Sequence, residues 1–144
     1  MSVTHADIYQ TAVTLSTTLL PDGTCCESNL RSSASRAYYA ALHAAMVSLP
    51  DQFSVKQSQT QSGSSHEAVN DAMTRWGKSM TPGKTEAQII ARGLPALKKL
   101  RKRADYRLDE DFPAADAQEA ISRANKLIRS SEYALSQCGN KQTA

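Results

Sequence analysis

No apolar run in this chain approaches the roughly 20 residues needed to cross a bilayer. Nowhere do apolar and polar residues alternate over the length of a strand. Only six glycines and five prolines interrupt 144 residues, which leaves room for long helices. The three cysteines are two neighbours, Cys25 and Cys26, and a distant Cys138, so they form neither a disulfide framework nor a metal-ligand spacing. A glycine-rich phosphate loop and a nucleophile elbow are also missing, which argues against P-loop enzymes, kinases and esterases. The N-terminal stretch has Asp7 and polar threonines in place of a basic-then-apolar leader. The expectation is a cytoplasmic protein with reduced thiols, no metal, no cofactor and no membrane partner.

What the chain does have is helical periodicity. Hydrophobic residues make up 40% and charged residues 22%, enough for one domain with a real core. Ile8, Ala12, Leu15 and Leu19 form one stripe of a first helix over residues 4–20, with Thr4 as its cap. Pro21-Asp-Gly23 then makes a turn. From about Ser28 to Leu49 a second helix carries Leu30, Ala34, Ala37, Ala41, Ala44 and Ala45 on one narrow side. Small side chains there let a neighbouring helix approach closely. The opposite side carries Ser32, Arg36, Tyr39 and His43, and Arg36 and His43 lie two turns apart, pointing the same way.

Residues 51–63, centred on Gln57–Gly63, read as a polar, mobile loop. A capping box, Ser64-x-x-Glu67, opens a third helix with Val69, Met73 and Trp76 as its apolar side, and His66 helps cap it. A fourth helical segment starts at Thr85, and Gly93 with Pro95 predicts a kink or break in it. Ala114 to Leu135 makes the last helix. The pattern predicts an all-α, up-and-down bundle of four to five helices: a single domain over residues 1–138, then a polar tail over 139–144.

Charge is unevenly spread. Residues 1–72 hold three basic and six acidic side chains, residues 73–144 fourteen and eight. Lys98, Lys99, Arg101, Lys102, Arg103 and Arg107 crowd into one strip, an electrostatic footprint for phosphate or else a solvated helix face. On the wheel of residues 94–108, Arg101 falls among Leu94, Leu97, Leu100, Ala104 and Leu108, with Asp105 beside it. An unpaired arginine in a core costs several kcal/mol. Arg101 is therefore either bridged to Asp105, setting helix register, or aimed into a cleft as a phosphate contact.

The run Leu30-Arg-Ser-x-x-Ser-Arg-Ala-Tyr-Tyr-Ala-Ala-Leu-His-Ala-Ala45, with the later Leu100-Arg-Lys-Arg-Ala-Asp-Tyr106, resembles the small prokaryotic proteins of the HEPN (higher-eukaryote and prokaryote nucleotide-binding) superfamily. The resemblance covers about Ser28 to Leu135. It implies a helical bundle that forms a homodimer. It also implies an RNA-targeting role in defence or toxin–antitoxin systems, in some members as a metal-independent endoribonuclease and in some paired with a nucleotidyltransferase. The family's catalytic signature is an arginine followed after four to six residues by a histidine, in a later helix. This chain departs from it: no histidine follows Arg101, and the arginine–histidine pair of similar spacing is Arg36 and His43 in the earlier helix.

On that resemblance the candidate catalytic residues are Arg36, His43, Arg101 and Asp105. Lys98, Lys99, Lys102, Arg103 and Arg107 are the candidate RNA contacts, and Tyr39 and Tyr106 line the pocket. His43 has the proton affinity for acid–base work, or it is a packed histidine bonded between helices. Three roles follow: an RNA-binding or RNA-cleaving module, a non-catalytic subunit docked on a nucleotidyltransferase or other effector, and a nucleotide pocket lined by Arg36, Tyr39 and Arg101.

Overall fold

The computed structural model describes residues 2–55 and 65–142, the last four as backbone alone. Those residues form five α-helices and no strand: α1 His5–Thr17, α2 Glu27–Ser48, α3 Ser65–Gly77, α4 Lys84–Tyr106 and α5 Ala114–Gln142. A short 3-10 turn, Asp51–Phe53, follows α2. The fold is all-α, as the periodicity requires. Among the described residues, no helix is long and apolar enough to cross a membrane.

Local chemistry accounts for the ends. Thr4 and Asp7 form a reciprocal capping box at α1: Asp7 N–H donates to Thr4 Oγ1 at 3.2 Å, and Thr4 N–H donates to Asp7 Oδ2 at 2.9 Å. After α1 the chain reverses through Pro21–Gly23. Gly23 sits at φ +86°, a left-handed conformation that only glycine adopts cheaply. Asp22 Oδ1 accepts from the Thr24 backbone N–H and hydroxyl, fixing the turn.

The chain divides into two compact units, Met1–Ala41 with Pro95–Lys126, and Leu42–Leu94 with Leu127–Ala144. In the first, the predicted stripe of α2 is buried at Leu30, Ala34, Ala37 and Ala41. The buried arc is wider than that stripe. Ser33 is fully buried because its hydroxyl donates to the Ala12 carbonyl of α1 at 2.6 Å, so a polar side chain can stand at a helix contact. From α4 and α5 the core takes Leu97, Leu100, Ala104, Ala117, Ala120 and Ala124.

In the second unit Trp76 is the central side chain. It is fully buried, its Nε1 donates to the Pro82 carbonyl at 3.0 Å, and it stacks on Phe53 with centroids 6.5 Å apart. Gly83 lies against its ring at φ +91°, and an added Cβ would come within 2.6 Å of Trp76 Cζ2.

Five sequence expectations change. Helix α1 ends at Thr17, so Leu19, read as part of its apolar stripe, is 60% exposed. Of the kink or break expected at Pro95, the break does not occur, since α4 is helical from Lys84 to Tyr106. Gly93 serves close packing instead, since a Cβ there would stand 2.5 Å from Leu127. Burial of Leu94, Leu97 and Leu100 outweighs the hydrogen bond that proline forfeits. Leu108, read as apolar-side, is 72% exposed because α4 ends before it, at Tyr106. The last helix continues past Leu135 to Gln142. Of the 51–63 loop, residues 51–53 form the 3-10 turn. The Gln57–Gly63 stretch and the Ser64 cap lie outside the described residues.

Candidate functional site

The first unit contains two buried arginines, Arg101 on α4 and Arg31 on α2. Arg101, on α4 itself, is only 5% exposed. Its position is the inward one that the helical wheel predicts. Nη1 lies 3.4 Å from Asp105 Oδ2 and 3.4 Å from the Tyr106 hydroxyl. The guanidinium stands 5.4 Å from the ring centre of Tyr38, 5.7 Å from that of Tyr39 and 5.7 Å from that of Tyr106. Cations favour the negative faces of aromatic rings, and that attraction grows once water is excluded. The Ser35 hydroxyl of α2 contacts Asp105 at 3.3 Å, so the acid is held from both helices.

This packing perturbs the groups in it. Burial pushes the Tyr38 phenol up to about 12; Arg101 pulls the other way and Tyr39 adds to the rise. Burial of Arg101 disfavours its charge, yet Tyr39, Tyr106 and Asp105 together more than offset this and hold its proton more tightly than usual. Its Nε remains buried with no hydrogen-bond acceptor. A buried donor without a partner is uncommon and costly.

Arg36 joins the same neighbourhood from the exposed side of α2. Its guanidinium lies 5.6 Å from the Tyr39 ring centre, so Tyr39 is shared between Arg36 and Arg101. His43 is half-buried and belongs to the other compact unit.

Past the Arg101 cluster, α4 ends in an open groove of about 730 Å³ lined by Lys99, Lys102, Arg103, Tyr106, Arg107 and Glu110. Four cations face one carboxylate there, and no histidine is in the lining. Lys98 is half-buried and lies outside that lining. Arg103 is partly committed elsewhere, in an ion pair with Asp116 and against the Phe112 ring at 5.3 Å. Lys99, Lys102 and Arg107 are exposed and lead the groove's charge.

A helix C-terminus is a poor place for an anion, because its last carbonyls point outward with partial negative charge. Arg31 removes that obstacle. Although this side chain was not among the sequence-derived candidates, it is 8% exposed and its Nη1 donates to the carbonyls of Arg103 at 3.2 Å, Ala104 at 2.9 Å and Arg107 at 3.1 Å. Nη2 donates to the Glu110 carbonyl, Nε faces Glu27 at 3.6 Å, and Phe112 stacks below at 5.5 Å. One fork thus caps the end of α4 and fixes the turn carrying Glu110. The signal in sequence was faint but present: on the α2 wheel Arg31 falls beside Tyr38, at the edge of the buried arc.

Among the described residues, no group of three histidine, cysteine or acidic side chains is arranged to hold a metal ion. Four cations around one carboxylate give the groove a positive charge of the kind that suits an anion such as phosphate. No protein-family model, curated protein or solved structure matches the chain.

Proposed function

We propose that this chain is a HEPN-type component of a prokaryotic defence or toxin–antitoxin system that engages RNA, as a homodimer, through the groove at the end of α4. One observation carries the reading: Lys99, Lys102, Arg103 and Arg107 converge on a single groove, beside a buried Arg101 belonging to the Arg-x-x-x-Asp-Tyr run that resembles the family. Phosphate contacts of this kind supply affinity without sequence preference.

Cleavage through the 2′-hydroxyl needs a proton acceptor, a donor and a cation. Arg101 and Asp105 supply a cation and a carboxylate but no histidine. Binding is accordingly the primary activity in this reading, with metal-independent cleavage dependent on Arg36 and His43.

The test is RNA affinity as a function of salt. Four cations correspond to a slope of about −3 in log K against log salt for a single strand. Lys99→Ala and Lys102→Ala should each flatten it by about 1. Loss of affinity without a change of slope counts against the groove. Total RNA incubated in EDTA with wild type and with Arg36→Ala, His43→Ala and Arg101→Ala decides the enzyme question: cleavage no greater than in the variants leaves a binding protein.

A second reading is favoured by the way tyrosine rings and Asp105 enclose Arg101, which suits a scaffold as well as a site. Here the chain is a non-catalytic subunit docked on a nucleotidyltransferase or another effector. It predicts a stable complex from the host and indifference to His43→Ala.

A further inference from the structure

Tyr106 is the last residue of α4. It is 70% exposed, yet its hydroxyl is held by Arg101 Nη1 at 3.4 Å. Arg101 is itself buried and tied to Asp105, so the anchor does not move with the ring. The same ring lines the cationic groove with Lys99, Lys102 and Arg107. An aromatic side chain left in water forgoes the gain of burial. One whose far end is pinned has already surrendered part of its rotamer freedom, so a partner that covers it meets a smaller entropic cost.

The geometry points to Tyr106 as a platform on which an unpaired nucleobase stacks while the flanking phosphates lie among Lys99, Lys102 and Arg107. A charged backbone alternating with flat π-faces matches a groove of cations with a fixed ring at its rim. An apolar protein segment matches the ring but not the four cations around it. The inference rests on the RNA-binding reading and adds to it: the groove selects a strand with bases free to stack, where charge alone would accept any polyphosphate.

Two probes of equal length and charge separate these terms, a single-stranded oligoadenylate and an abasic ribose-phosphate strand. Their affinities are measured by fluorescence anisotropy for the full chain, Tyr106→Ala and Tyr106→Trp. Stacking of one base on an aromatic side chain predicts about tenfold tighter binding of oligoadenylate than of the abasic strand by wild type. In Tyr106→Ala that preference should vanish; in Tyr106→Trp it should persist or grow. Circular-dichroism melts establish that both variants fold, as expected for so exposed a side chain. Wild type that binds both strands equally, or Tyr106→Ala that keeps the preference, overturns the platform and leaves the phosphate groove standing. Failure of wild type to bind either strand overturns the groove and the platform together.

Discussion

Arg31 and Arg101 are both buried, both arginine and both in the first compact unit, yet their surroundings have little in common. Arg31 spends its fork on backbone: carbonyls of Arg103, Ala104, Arg107 and Glu110, with Glu27 behind Nε. Arg101 spends its charge on tyrosine rings and one carboxylate, and leaves Nε without an acceptor. Carbonyls at a helix end are orphaned in every conformation of the side chains, so an arginine that reaches them is fixing the fold. Rings and a carboxylate can be rearranged, and a donor with no acceptor is poised to take one. Burial alone does not separate a structural charge from a functional one; the identity of its partners does.

Removing each guanidinium with its stem retained should expose that contrast. Arg31→Met leaves the carbonyls at the end of α4 without a donor. Hydrogen bonds to a charged group contribute about 1.5–3 kcal/mol each and share geometry here, so a net loss of about 3 kcal/mol is expected. In a chain of this size that lowers the thermal midpoint by about 10 °C, measurable by calorimetry. Arg101→Met should cost less, about 1–2 kcal/mol. It forfeits cation–π attraction, but it also removes the unpartnered Nε, and Asp105 keeps Ser35 and some solvent. Its larger signature should be in RNA affinity, since it frees the Tyr106 ring. If Arg101→Met proves the more destabilising of the two, the distinction between them fails.

The sequence made one of these residues visible and hid the other for a physical reason. Helical periodicity sees side chains that belong to an apolar stripe. Arg101 broke such a stripe and drew notice, with Asp105 four residues on as its evident partner. The alanine stripe of α2 was legible for the same reason, as were Ala117, Ala120, Ile121, Ala124, Leu127 and Ile128 of α5, and all of these are buried. Arg31 answers to backbone carbonyls more than 70 residues away, and carbonyls carry no sequence signature. Leu108 misled because periodicity does not mark where a helix stops, and that stop is set by the Arg31 contacts. Tyr106 was legible as a pocket residue, but its exposure and its held hydroxyl belong to the fold.

The subtlest difference between the two arginines lies in what each does to Tyr38. Burial holds this phenol at about 12 against an ordinary value of 10.0, and Arg101 acts against that rise. A raised folded-state value means that the neutral phenol is favoured by folding. The corresponding stability is whole below about pH 10 and is lost as pH climbs through about 12. Thermal midpoints should therefore fall over that alkaline window, and Tyr38→Phe should flatten the fall. Arg101→Met takes away the one cation opposing the shift, so Tyr38 should titrate higher still by ultraviolet absorbance. Arg31 has no part in Tyr38's shift, so Arg31→Met should leave the phenol where it is, provided the comparison is made below that variant's lowered midpoint. Equal displacement of Tyr38 by both variants would mean that general loosening of the core, and not the charge of Arg101, controls the ring.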